Sequence, residues 1–172
     1  VSLGASFRYD GNFAAEEGAI VQITGDVSFG GESTFKGLYI EKDGKLTLAG
    51  SATAAGINAK SSGTLAFSGN GSLEVADYAS LQSVIEVARA SEAPLITVRG
   101  NCAFSSGQTE IVPASGLPVK NPITVISVYG NVTGSPVIGG DQAHKWKLKS
   151  KNENGAKVYY LVHRKGMRLI LK

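Results

Sequence analysis

From Ala19 to Val75 apolar and polar residues alternate in short runs, and the runs recur. Three consecutive 19-residue blocks align without a gap: AIVQITGDVSFGGESTFKG (19–37), LYIEKDGKLTLAGSATAAG (38–56) and INAKSSGTLAFSGNGSLEV (57–75). The seventh column holds Gly25, Gly44 and Gly63, and the thirteenth holds Gly31, Gly50 and Gly69. Between these glycines, columns nine and eleven read Val27/Phe29, Leu46/Leu48 and Leu65/Phe67. Columns one and three read Ala19/Val21, Leu38/Ile40 and Ile57/Ala59; columns fifteen and seventeen read Ser33/Phe35, Ala52/Ala54 and Gly71/Leu73. Each block is therefore three short alternating stretches separated by two glycine corners. Alternation with period two is the strand signature, because successive side chains point to opposite faces.

A single block cannot bury its own apolar face, whereas stacked blocks bury it against one another. Stacking places like on like about 4.8 Å apart, so Val27, Leu46 and Leu65 form one interior ladder and Phe29, Leu48 and Phe67 another. The predicted architecture is all-β: a three-sided parallel β-helix with rungs of about 19 residues, right-handed by analogy with crossover chirality. A β-sandwich also has short strands at regular spacing, but glycines matched in two columns over three blocks favour the solenoid.

Outside the three blocks the pattern changes. Residues 1–18 read as a divergent N-terminal rung. In ADYASLQSVIEVARASE (76–92), Leu81, Val84, Ile85 and Ala88 fall on one helical stripe, with Asp77 as N-cap and Pro94 beyond the end, which predicts a helix. Irregular rungs resume over 94–143. In LITVRGNCAF, Ile96, Val98, Gly100, Cys102 and Phe104 match columns three to eleven, which turns Cys102 inward, and ITVISVYGNV (123–132) repeats the pattern with Gly130 at the corner. The Pro-, Ser- and Gly-rich stretch 112–122 reads as an excursion. Over 144–172, Trp146 and Leu148 alternate with lysines, Asn154-Gly155 signals a turn, and Val158, Tyr160 and Val162 alternate again. After Lys165-Gly166 comes a third short run, Met167, Leu169 and Leu171, so the segment reads as an antiparallel meander that caps the stack. The 172 residues are one domain on this reading.

Composition agrees with a turn-rich β protein: charged residues are only 18% and glycines number 22. No apolar run approaches the length of a membrane-spanning helix. The net charge of +3 conceals an asymmetry. Residues 1–144 carry 8 Lys/Arg against 13 Asp/Glu, while residues 145–172 carry 9 against 1. The final segment is electrostatically distinct.

That asymmetry bears on candidate chemistry. Catalytic or Ca²⁺-binding solenoids need carboxylates in neighbouring rungs at nearby columns. Asp26, Glu32, Glu41, Asp43 and Glu74 fall in five different columns, and Asp43 before Gly44 reads as a turn residue. His144 and His163 lack metal-ligand spacing. No catalytic constellation, metal site or cofactor is expected, and Cys102 reads as a small buried hydrophobe. The candidate ligand-binding face is basic and aromatic: Lys145, Trp146, Lys147, Lys149, Lys151 and Tyr159, with Tyr160 beside it. Such a face attracts anionic glycans or acidic surfaces. The plainer account is edge protection, since lysines on an exposed strand discourage edge-to-edge pairing. Nucleic acid is the weakest partner, because no recognition module accompanies the basic residues.

The segments PITVISVYGNVTGSPVIG (122–139) and VYYLVHRKGMRLILK (158–172), with the Gly-rich rungs at 19–75, resemble the autotransporter-associated β-strand repeat proteins of bacterial cell surfaces. The resemblance implies a right-handed β-helical passenger, secreted or at the cell surface, used for adhesion or surface structure. Its partners would be glycans or other cell-surface molecules; a purely structural module would instead self-associate through the solenoid ends. The alternative is a carbohydrate-active β-helix protein, a polysaccharide-binding domain, lyase or hydrolase, whose acids would converge in a groove.

Overall fold

The structure, a computed structural model, describes residues 1–4, 6–16, 19–119 and 122–164. It is a parallel β-solenoid of about five turns with a hairpin at its C-terminal end. The first rung is β1 (Ser2–Leu3), β2 (Phe7–Tyr9) and β3 (Phe13–Ala14), and the next begins with β4 (Ile20–Ile23) and β5 (Asp26–Phe29). From there the third face of one rung runs into the first face of the next. This gives β6 (Ser33–Ile40), β7 (Lys45–Leu48), β8 (Ser51–Ala59), β9 (Thr64–Phe67) and β10 (Ser72–Leu81). The later rungs hold β11 (Val84–Val87), β12 (Ile96–Val98), β13 (Asn101–Phe104), β14 (Glu110–Pro113), β15 (Ile123–Val128), β16 (Val132–Thr133) and β17 (Val137–Ile138). The cap is β18 (Trp146–Glu153) and β19 (Ala156–His163).

Every rung-to-rung pairing among these strands is parallel, and the ladders foreseen at 26–67 form in register. Val27 pairs with Leu46, Leu65, Ile85 and Ile111 in turn, and Phe29 with Leu48, Phe67 and Val87. All of these except Val27, which is nearly so, are fully buried. The third face stacks Ser33, Ala52, Leu73, Ile96 and Ile126; all five are buried, and the column is apolar from Ala52 onward. The burial is mutual: removing any rung exposes the apolar faces of its two neighbours.

The corners depart from a strict 19-residue repeat. Val21 and Ile23, not Ala19 and Val21, stack on Leu38 and Ile40, because the first corner is shorter than the next. Leu73 and Val75, not Gly71 and Leu73, stack on Ala52 and Ala54. Cys102 and Phe104 turn inward as expected, but on the first-face ladder over Ala79 and Leu81. Corner loops lie outside the ladder and absorb extra residues without disturbing it.

The helix expected at 76–92 is not formed. Residues 76–81 belong to β10 and 84–87 to β11, and Ala79, Leu81, Ser83, Ile85 and Val87 are all buried at period two across the corner between them. Ala88, which the helical stripe would bury, is exposed. The β-branched Val84, Ile85 and Val87 suit a pleated surface, and β11 pairs along its whole length with β9 on one side and β14 on the other. A second correction falls in the excursion. Glu110–Pro113 is a strand, with Ile111 buried on Ile85, so the excursion begins after Pro113. The only helical element among the described residues is a 3₁₀ turn at Ala143–Lys145.

Two corners show why their sequences fold as they do. Gly44 N–H donates to the Glu41 carbonyl and Gly63 N–H to that of Lys60, closing matching turns. The residues before these glycines, Asp43 and Ser62, take φ of 62° and 64°. This is the positive φ that the third position of a type II turn demands, so Asp43 is a turn residue.

Candidate functional site

The hairpin of β18 and β19 brings the sequence-predicted residues together but divides them between two faces. Its turn is Asn154-Gly155, with φ of 49° and 77°, the geometry that suits the right-handed twist of a two-residue hairpin. β19 lies antiparallel between β15 and β18, which leaves β18 at the edge of the twelve-stranded sheet. Along β18, Lys147, Lys149 and Lys151 are exposed, and Lys145 precedes them, exposed, in the 3₁₀ turn. Lys149 stands opposite Tyr160, and the Lys151 ammonium lies 5.7 Å from the centre of the Tyr160 ring.

Trp146 and Tyr159 are not on that face. Each is only 3% exposed. Trp146 meets His163 edge to face at 5.2 Å, and Tyr159 meets Phe104 at 5.3 Å. Both pack into the solenoid interior, and neither presents a ring to the side of β18 that carries the lysines. Trp146, expected on the ligand-binding face with the lysines, alternates with them along β18 and lies on the side that meets the core. Tyr160, half-buried beside Lys149 and Lys151, is the aromatic the basic face retains.

Next to the hairpin, a groove of about 650 Å³ opens between the last rung and β18. Pro136, Val137, Ile138 and Leu148 make it mainly apolar, with Lys147, Lys149 and Arg164 at its margin. Arg164, the last described residue, donates from Nε to the Trp146 carbonyl at 2.9 Å. The third run of the predicted meander, Met167 to Leu171, lies outside the described residues.

His144 is exposed, with Nδ1 2.8 Å from the Asp141 carbonyl oxygen. Among the described residues no three His, Cys, Asp or Glu side chains gather as a metal site would need. Cys102 is 1% exposed between Ala79 and Val132, and burial pushes its thiol up to about 12. A thiol this protonated is a poor nucleophile. The folded protein is expected to resist iodoacetamide at pH 8, with labelling appearing only as urea unfolds the chain. Fast labelling of native protein would place Cys102 outside the core. The unfolded thiol ionises near 9 and the folded one only near 12. This burial therefore contributes fully below pH 9 and is progressively lost as pH rises towards 12.

Fold and site together define a capped parallel β-solenoid with a basic edge strand. No protein-family model matches the chain, and no curated protein matches it. No helix among the described residues is long and apolar enough to cross a membrane.

Proposed function

We propose that the chain is a non-enzymatic β-helical domain, secreted or at a bacterial cell surface, of the adhesin-like or structural kind that its resemblance to autotransporter-associated repeat proteins implies. The observation that carries this reading is that three outward carboxylates of the solenoid wall are each held by a basic residue of another rung. Glu41 pairs with Lys60 at 2.9 Å, Glu74 with Arg99 at 2.9 Å and Glu86 with Lys45 at 2.7 Å. Each pair joins different rungs. Arg99 also lies 4.9 Å over the Tyr129 ring, and its hydrogen bond to Glu74 holds it even more firmly charged than an ordinary arginine. Exposed pairs of this kind add little stability individually, but they neutralise these three acids, whereas a lyase or hydrolase keeps its carboxylates free and converging.

The test is incubation of the purified chain with a panel of polysaccharides, following both retention and chain ends. Retention without new reducing or unsaturated ends is the expected result. Release of such ends in proportion to protein concentration would replace this reading with a carbohydrate-active one.

On this reading the lysines of β18 protect an exposed sheet edge. Substituting Lys147, Lys149 and Lys151 together with threonine is expected to produce sedimentation coefficients that rise with concentration, unlike the wild type. If the triple variant sediments as the wild type does across the same range, edge protection is not their role.

A further inference from the structure

We propose that a cleft on the outer wall of the solenoid, between Ile20 and Tyr78, binds an anionic saccharide. Four successive rungs place Ile20, Gly37, Gly56 and Tyr78 in one column, at the corner where β6, β8 and β10 turn from the third face to the first. Ile20 and Tyr78 are each 47% exposed and form the two ends, while the two glycines leave the floor open. Tyr39 stands along one side, its Cε2 3.8 Å from where a Gly37 Cβ would lie. Asn58, Lys36 and the largely buried Ile57 complete the lining of a cleft of about 400 Å³, within the range of small-ligand sites.

Gly56 separates this cleft from the other glycine corners. A Cβ at Gly50, Gly71 or Gly100 would run into the backbone of the neighbouring rung. At Gly56 it would meet only the Tyr78 carbonyl, at 3.5 Å, an ordinary contact, and φ is not positive there. Nothing in the backbone or the packing requires glycine at this strand position, where a side chain would ordinarily stabilise. What glycine does there is hold the floor open between two tyrosines.

The lining specifies the ligand. Tyrosine faces suit the C–H face of a pyranose, and their hydroxyls remain available for hydrogen bonds. The Asn58 amide offers both donor and acceptor to sugar hydroxyls. Lys36 has no ion pair among the described residues, and the cleft has no acidic lining residue. Its positive charge is therefore available to a uronate carboxylate or a sulfate. The column spans three rung steps, about 14 Å, room for a short oligosaccharide. This inference rests on the adhesin-like form of the proposed function and locates its ligand away from the basic edge strand.

The experiment is calorimetric titration of the full chain, at moderate salt, with three probes: a sulfated heparan-type hexasaccharide, an oligogalacturonate and a neutral cello-oligosaccharide. The wild type is expected to prefer at least one anionic probe. Gly56→Val and Tyr78→Ala should each weaken that binding at least roughly tenfold, and a single Lys149→Thr change on β18 should stay within about twofold of wild type. Lys36→Ala should abolish the preference for the anionic probe. Thermal unfolding of each variant accompanies the titrations, and Gly56→Ala, one methyl group, replaces Gly56→Val if valine unsettles the strand. Binding that survives Gly56→Val and Tyr78→Ala unchanged overturns the cleft while leaving the adhesin-like reading in place. A wild type that binds none of the probes overturns the cleft and moves the proposed function to its structural form.

Discussion

Phe67→Ala is expected to lower the unfolding free energy by roughly 3–5 kcal/mol. Phe67 is fully buried on β9, stacked between Leu48 and Val87 in the second-face ladder. Truncation removes a ring's worth of transfer free energy and leaves a cavity that rungs held at backbone spacing cannot collapse to fill. In a stack where each rung touches only its neighbours, the cavity also weakens both interfaces of one rung. Urea unfolding checks both effects. The midpoint should fall, and a reduced slope would show the stack separating into two units. A loss below about 1 kcal/mol would mean that this ladder is not the core.

The second large effect is a contrast between glycines. Gly100→Ala is expected to destabilise by roughly 2–3 kcal/mol, because its Cβ would collide with the Asp77 carbonyl, and Gly130 in turn stacks closely on Gly100. Backbone faces backbone on both sides of Gly100, so no side-chain rotation relieves the clash. Gly56→Ala is expected to be neutral or to stabilise by up to about 1 kcal/mol, since alanine loses less conformational freedom in a strand. Thermal and urea unfolding of the two variants side by side make the comparison. Equal stability for the two would mean that rung spacing at the Gly100 corner is slack, and would remove the special status given to Gly56.

The ladder from Val27 to Phe67 was legible in the chain because alternation and glycine corners coincide there for three blocks. The misread parts share a cause. At 76–92 a set of apolar residues satisfies a helical stripe and a broken period-two pattern equally well. Only the partners decide, with Ala79 resting on Ile57 and beneath Cys102. Corner loops vary in length without leaving a trace in the alternation, so a strict 19-residue repeat puts Ala19 and Gly71 at ladder positions that Val21 and Leu73 occupy.

The candidate site divides in the same way. The charge asymmetry and the alternating lysines of β18 are properties of the chain, and they marked the basic edge. That Trp146 and Tyr159 belong to the core could not be read locally, because a strand has two equivalent faces until something packs against one of them. The tyrosine cleft is further still from the linear pattern. Tyr39 and Tyr78 belong to different rungs, and stacking alone sets them around the open floor of Gly37 and Gly56. By itself the sequence determined that this chain stacks rungs and where its charge collects, since periodicity and composition are local and additive. Which faces turn inward, how far each corner shifts the register and which outward side chains meet were decided by the tertiary structure, because each depends on a partner many residues away.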